Sequence, residues 1–262
     1  MLFKDLLSRT HSKKTQSSKN ELYEIHNSYL SFIKDILSYS YPANVQNPNM
    51  LRLNAINKIL RILALDEQHY ILQYPIKGNS SYSYFPILLN NRIKCPKCGI
   101  LSTCNLITSK TNNSIAFDIA HHPTISRPWE RERLIRSLSN IGYSVNNPFI
   151  SDERNHWGGF LYPQFNLLFI KNGYHSSTSG ILDTTAIFYP EYLYDCSSFY
   201  KEIYFDGISF RHTKCGHIIE TPENKSIGTI YEIGRLVFES KLSFLDLLQN
   251  EKASSPALIR DK

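Results

Sequence analysis

Apolar positions recur at helical spacing near the start of the chain: Leu22, Ile25, Tyr29, Phe32, Ile33, Ile36 and Leu37 fall three or four apart until Tyr41-Pro42 closes the run. A second helix is announced by Asn47, a good N-cap, and Pro48, whose missing N–H costs nothing at the first helical position. Its predicted apolar face is Leu51, Ala55, Ile59, Ile62 and Leu63. Residues 20–66 therefore read as a helical hairpin that must pack on something else. From about residue 68 the pattern shortens to β-like runs separated by turn residues: Tyr70–Tyr74, Pro86–Leu89, Ser114–Ile119, Gly159–Tyr162, Leu167–Lys171, Ala186–Tyr189, Phe199–Phe205 and His217–Glu220. Two helices interrupt them. One spans Pro128–Ile141, with Ser126 or Arg127 as cap, Leu134, Ile135, Leu138 and Ile141 inward and Gly142 as its stop; the other spans Ile227–Leu248. The expected class is α+β, with the helical hairpin, an α/β body over residues 67–249, a C-terminal helix inside it, and a frayed tail over 250–262.

Charge adds one feature to this layout. Residues 1–19 carry Lys4, Arg9, Lys13, Lys14 and Lys19 against Asp5, a net +4 of the chain's formal +6. This Ser/Thr/Lys-rich stretch reads as a basic flexible leader, either a solvated tail or an arm that samples phosphates. The remaining body is only weakly basic, so charge alone does not make a nucleic-acid binder. No run approaches the ~18 apolar residues of a membrane span, and the opening MLFKDLLSRTHSKK lacks a signal-peptide core. With five cysteines, an odd number, the expectation is a reduced, cytoplasmic protein with no membrane partner and no disulfide framework.

The sharpest motif is Cys95-Pro96-Lys97-Cys98-Gly99. Two thiolates two residues apart, followed by Gly, form a turn whose backbone N–H groups point at sulfur, which is half of a tetrahedral Zn²⁺ site. The other half is offered by His212-Thr213-Lys214-Cys215-Gly216, an H-x-x-C-G that mirrors C-x-x-C-G. Cys95, Cys98, His212 and Cys215 would close a structural Cys₃His site resembling a zinc ribbon, with knuckles at 94–99 and 211–217. The two halves are separated by 113 residues, so a whole subdomain has to be threaded between them. Cys104 and His217 are reserve ligands and Cys196 reads as a lone buried thiol. The competing readings are a plain turn with two free thiols and a redox C-x-x-C pair.

Within the threaded segment come Arg127-Pro128, then Leu134–Gly142 as L-I-R-S-L-S-N-I-G, then Asn147-Pro148-Phe149. A strand-like run follows, ending in Asn172-Gly173-Tyr174-His175-Ser176. The order of these pieces, over residues 116–195, resembles the ParB/sulfiredoxin-like superfamily, whose members place an R-P segment, an L-x-x-S-I-x-x-x-G helix and an N-P-h turn before a strand ending in D-G-x-H-R. The resemblance implies a small mixed-sheet core whose final turn binds nucleotide phosphates, here through Asn172, Gly173, His175 and Ser176. Arg127 and the basic helix carrying Arg131, Arg133 and Arg136 would supply positive charge. It also implies bacterial origin and a role in DNA transactions or anti-phage defence. The chain departs from the pattern where Ser176 stands in place of the phosphate-gripping Arg; Arg127, Arg131 or Arg154 would have to substitute for it. A Ser donates one hydrogen bond where a guanidinium offers five, so nucleotide binding survives better than hydrolysis.

A second chemistry competes with this one. His121, His122, His156 and His175 lie within 55 residues, with carboxylates nearby. His156 and His175 with Asp152 could perform phosphoryl transfer around a loosely held divalent ion such as Mg²⁺. No P-loop, H-E-x-x-H, G-x-S-x-G or dinucleotide fingerprint occurs. Trp129 and Trp157 flank the histidines and are expected to pack in the core rather than to stack on bases. The third reading is a non-enzymatic interaction module with a protein partner or a second copy of the chain.

Overall fold

A computed structural model describes residues 2–78, 92–109, 115–152 and 154–248. The chain begins with two long helices, α1 (Leu2–Ser38) and α2 (Pro48–Ile76). No Pro or Gly interrupts residues 2–38, and the helical backbone continues through the stretch expected as a flexible leader. Asn47 caps α2 through its side chain, which accepts the Met50 N–H, and Pro48 opens it as predicted. The helix then runs ten residues past the expected boundary, and the strand expected over Tyr70–Tyr74 is helical. Aromatic β-propensity loses there to helical spacing: Tyr70 and Tyr74, one turn apart, both donate to the Glu223 carboxylate, while Ile71 and Pro75 are buried.

Both predicted apolar faces are rotated. α1 turns His26 and Ile33 inward and leaves Leu22, Ile25 and Phe32 exposed; α2 buries Leu53, Ile56, Leu60, Leu63 and Ala64 rather than Leu51 and Ile62. The stripe follows the neighbours, since α2 packs against the C-terminal helix α6 and against a strand of the central sheet.

The body follows in chain order as β1 (Arg92–Lys94), β2 (Leu101–Thr103), β3 (Asn105–Ser109), β4 (Phe117–Asp118), β5 (Thr124–Ile125), α3 (Arg131–Asn140), β6 (Gly159–Tyr162), β7 (Leu167–Ile170), α4 (Tyr174–Ile181), β8 (Ile187–Phe188), β9 (Tyr192–Asp195), α5 (Phe199–Glu202), β10 (Ile203–Phe205), β11 (Phe210–His212), β12 (Ile218–Glu220) and α6 (Ser226–Glu239). The expected α+β class is what forms. The central sheet is mixed, in the order β3-β9-β6-β7-β5, with β5–β7 and β6–β9 parallel. Strand β7, between β6 and β5, is buried along its whole length because both faces are covered: Leu167 and Phe169 enter the core shared with α2 and α6, while Leu168 and Ile170 enter a second core with Phe117, Phe149, Ile181 and Phe188.

Three more expectations shift at their edges. Residues 199–202 form the turn of helix α5 before strand β10 begins. Of the predicted inward face of α3 only Leu134 is buried; Ile135 and Leu138 are exposed, and Glu130 takes the cap position. The C-terminal helix breaks after Glu239, where Lys241 adopts φ 58°, and resumes over 244–248 so that Phe244, Leu247 and Leu248 can turn into the cores. The expected strand at 86–89 and the tail over 250–262 lie outside the described residues. No described helix is long and apolar enough to cross a membrane.

Candidate metal centre and basic cleft

β1 and β2 pair antiparallel around Cys95–Ile100, and β11 and β12 pair around His212–His217. The two turns are built alike. The Cys95 N–H donates to Ile100 O and the Gly99 N–H to Cys95 O; the His212 N–H donates to His217 O and the Gly216 N–H to His212 O. Gly99 and Gly216 occupy the left-handed region at φ 72° and 63°, which is why both motifs end in Gly. In the first turn the Cys95 sulfur is hydrogen-bonded by the Lys97 and Cys98 backbone. At the equivalent place in the second, the Lys214 N–H lies 3.3 Å from His212 Nδ1.

The turns meet. Sγ of Cys95 is 3.6 Å from Sγ of Cys215, and Sγ of Cys98 is 3.7 Å from Nδ1 of His212. One donor atom from each of the four residues lies within 4.8 Å of the other three. A tetrahedral ion bound at ~2.3 Å to sulfur and ~2.0 Å to nitrogen would have S–S edges of about 3.8 Å and S–N edges of about 3.5 Å. The Cys95–Cys215 and Cys98–His212 separations are near these lengths, and the four residues could hold a metal ion. Its electrostatics also suit a cation. Burial pushes the Cys95 thiol up, but the Cys98 and Lys97 N–H groups bring it down to about 7. Cys98 is drawn down by the Ile100 backbone, yet burial and the sulfurs of Cys95 and Cys215 hold it above its ordinary value.

Cys104 and Cys196 correct the sequence reading. They form a disulfide, so Cys104 is not a reserve ligand, Cys196 is not a lone thiol, and the expectation of a chain without disulfide linkage does not hold. The cause is register: β3 and β9 pair Asn105 with Asp195, and the next pair outward is 104 with 196, at a Cα separation of 4.4 Å.

The Asn172–Ser176 turn lies, as expected, between a strand and a helix, with Gly173 at φ 72° in the cap position of α4 and no side chain capping that helix. Ser126 Oγ donates to Tyr174 O at 2.8 Å, which brings the R-P segment against the turn. Gly173, His175 and Ser176 line an open cleft of about 210 Å³ whose other wall is Arg133, Arg136 and Ser137 of α3. Among the described residues no carboxylate is in its lining, although Glu130 pairs with Arg133 at 3.2 Å. The first N–H groups of a helix have no intrahelical partner and carry partial positive charge. The Glu130 N–H donates to His175 Nε2 at 3.2 Å, so the neutral ring carries its proton on Nδ1. Burial, and then Arg133, hold that imidazole below its ordinary pKa against the pull of Glu130. Of the arginines proposed to replace the missing one, none lines the cleft: Arg127 sits near the Tyr174 phenol, Arg131 donates to Ile76 O, and Arg154 is exposed in the 152–156 loop. Asn172 does not line it either.

Asp152, His156 and Ser176 come together in the composition of a hydrolase triad, but the hydrogen bonds run the wrong way for one. The Asp152 backbone N–H donates to His156 Nδ1 at 3.0 Å, leaving Nε2–H to donate to Ser176 Oγ at 2.8 Å, and Ser176 donates to Gly173 O at 3.0 Å. A general base needs Nδ1 protonated and Nε2 free to accept from the hydroxyl. The Asp152 carboxylate accepts from the Arg154 and Asn155 N–H groups and lies 3.4 Å from His156 Nδ1, farther than the Asp152 backbone nitrogen. His156, its side chain 7 % exposed and its pKa lowered by burial, is wedged against Phe149 and Phe188 and buttresses the turn. Among the described residues, the Cys/His cluster is the group that gathers three or more potential metal ligands; Asp152, His156 and His175 do not form another. His121 pairs with Asp118, and His122 joins a buried network with Asn57 and Asn166, both away from the cleft walls. Trp129 and Trp157, expected in the core, are 47 % and 55 % exposed.

No curated protein and no solved structure matches the chain. Residues 8–244, which carry both knuckles and the cleft, match the family described as "Family of unknown function (DUF6710)", and the chain belongs to that family.

Proposed function

We propose that this protein binds phosphate-bearing ligands of the nucleotide or nucleic-acid class in the cleft between α3 and α4, without hydrolysing them, on a scaffold clamped by structural Zn²⁺. Three thiolates and one imidazole favour zinc over the harder cations, and four protein ligands leave no open position for catalysis. The observation that carries the ligand reading is the cleft itself: Arg136, together with Arg133, which also pairs with Glu130, faces the uncapped first turn of α4. The pair supplies from a neighbouring helix the cationic grip that Ser176 cannot, in keeping with the resemblance of residues 116–195 to ParB-like nucleotide sites. Hydrolysis finds little support, because His156 is committed to Ser176 and to the Asp152 backbone.

The test is thermal unfolding of the metal-loaded protein with pyrophosphate and a panel of nucleotides. A ligand at ~100 times its Kd adds about 2.7 kcal/mol of stability. The expected result is a stabilising shift that Arg133→Ala and Arg136→Ala each reduce while leaving the unliganded melting temperature unchanged. A panel without any shift, or a shift that both variants retain in full, would overturn the reading.

A further inference from the structure

A second cavity, of about 390 Å³, lies between α1, α2 and the start of α6. Sites that take small molecules run from about 300 to 1,000 Å³, and none of the residues lining this one belongs to the metal centre or to the α3–α4 cleft. His26 lines it although only 4 % exposed. Its Nδ1 is 3.0 Å from Thr229 Oγ1, and the Thr229 hydroxyl donates in turn to Lys225 O at 3.3 Å. With that hydroxyl proton committed, Nδ1 carries the ring proton and donates to Oγ1, which leaves Nε2 a bare acceptor. Burial, opposed in part by Asp206, lowers the pKa of the ring to about 4, so the lone pair persists at neutral pH. Two carboxylates share the lining. Asp66 Oδ2 accepts from Asn224 Nδ2 at 2.9 Å and from Ser226 Oγ at 2.6 Å; Glu223 Oε2 accepts from the Tyr70 and Tyr74 phenols at 3.0 Å each. The second oxygen of each has no partner among the described residues.

The donors in the lining are already spent. The Lys225 ammonium donates to Pro222 O and feels the charges of Glu223 and Asp206, the Ser226 N–H donates to Asn224 Oδ1, and His69 is paired with Gln73 one turn on. The positive end of α6 is met by Asp66, which holds the Ser226 hydroxyl. An anion would therefore face two carboxylates with no free donor to greet it. We propose that this cavity binds a small organic ammonium, a primary amine carried on an apolar chain. An ammonium offers three donors and no acceptor, the complement of His26 Nε2 and the two unclaimed carboxylate oxygens. Tyr29 and Tyr70 add aromatic rings, whose faces attract cations, and Leu22, Ile25 and Leu63 give the chain an apolar wall. The site is independent of the phosphate reading and stands or falls without it.

Calorimetric titration of the full-length, metal-loaded protein with n-hexylamine, and with hexan-1-ol and hexanoate as chain-matched controls, tests it. Ligands this small bind weakly, so the titrations extend to about 10 mM. Hexylamine is expected to saturate one site, to bind about tenfold or more tightly than hexanol, and to weaken as salt rises while hexanol does not; hexanoate is expected not to bind. Asp66→Asn and Glu223→Gln each remove a charge but keep an acceptor for Ser226 or for the tyrosines. Each should weaken hexylamine about two- to fivefold, as suits carboxylates near solvent, and leave hexanol unchanged, so the ratio of the two affinities falls; a variant that merely disturbed the fold would lose both ligands together. Hexanol or hexanoate binding as tightly as the amine would overturn the proposal. So would the absence of saturable hexylamine binding, or amine binding that both variants retain in full.

Discussion

Gly173 is where the fold and the cleft depend on the same atoms. Its φ of 72° lies in the left-handed region, and a Cβ there would fall 2.4 Å from His156 Cδ2 and 2.6 Å from Asn155 O. The left-handed backbone costs a non-glycine residue about 1–2 kcal/mol, and forcing a methyl into a filled site costs about 1–3 kcal/mol more. Neither neighbour yields easily: Asn155 O is backbone, and the His156 ring is held edge-on by Phe149 at 4.9 Å. Gly173→Ala should therefore lose about 2–5 kcal/mol, a large share of the ~5–15 kcal/mol that holds a domain folded. Urea unfolding at constant m-value measures it. The second half of the test is His156→Ala. Removing the ring takes away one of the two clashes and leaves Asn155 O, so the double variant should be more stable than the sum of the single losses predicts, by about 1 kcal/mol or more. A Gly173→Ala loss below about 1 kcal/mol, or losses that add within about 0.5 kcal/mol, would show that His156 does not brace this turn.

Three further outcomes follow from the metal centre, the histidines and the disulfide. Elemental analysis should find one zinc per chain, absent from Cys95→Ser and Cys215→Ser, and chelation should lower the melting temperature by about 8–16 °C, the equivalent of some 4 kcal/mol of linked binding in a domain this size; zinc retained by Cys215→Ser would break the pairing of the knuckles. Burial lowers the His26 pKa to about 4, with Asp206 opposing in part, so between that value and its unfolded value near 6.5 the unfolded chain takes up a proton the folded one refuses. Stability should be level above pH 6.5 and fall as the pH drops toward 4, as read from urea midpoints, and His26→Gln should flatten that slope. Reducing the Cys104–Cys196 bond should weaken zinc capture during refolding about tenfold, measured by chelator competition.

The metal centre was legible because its geometry is local. A knuckle is five residues whose last must be Gly, and C-x-x-C-G and H-x-x-C-G advertise the same turn wherever they occur; meeting across 113 residues needed only that no other partner be available. The strand–turn–helix at Asn172–Ser176 was legible for the same reason. What escaped was set by long-range neighbours. Cys104 faces Cys196 because of the β3–β9 register, which no spacing rule encodes. Tyr70–Tyr74 reads as β by propensity but is held helical by Glu223, some 150 residues on. Arg133 and Arg136 were visible as a basic helix, but their approach to Gly173 and Ser176 depends on how α3 docks on α4. The tryptophans were misplaced because burial was inferred from residue type. A signal was present in the sequence all the same: both adjoin polar, turn-forming neighbours, Arg127-Pro128 before one and Gly158-Gly159 after the other.

The disulfide and the metal cluster close the same loop twice, one inside the other. Every strand of the central sheet, together with α3, α4 and the cleft, lies between Cys104 and Cys196. The knuckles lie just outside, Cys98 six residues before the first and His212 sixteen after the second. In a reduced, unfolded chain the knuckles are separated by more than a hundred residues; once the disulfide has formed, the path between them is only those two short segments. Loop-closure entropy scales as (3/2)RT ln n, so a roughly fivefold shorter path lowers the cost of bringing them together by about 1.5 kcal/mol, or about tenfold in apparent metal affinity where binding and folding are coupled. The advantage belongs to the unfolded state alone. In the folded protein β1–β2 and β11–β12 already hold the four donors within 4.8 Å, so reduction after folding should leave zinc in place. That difference between refolding and folded protein separates a disulfide that guides assembly of the clamp from one that maintains it.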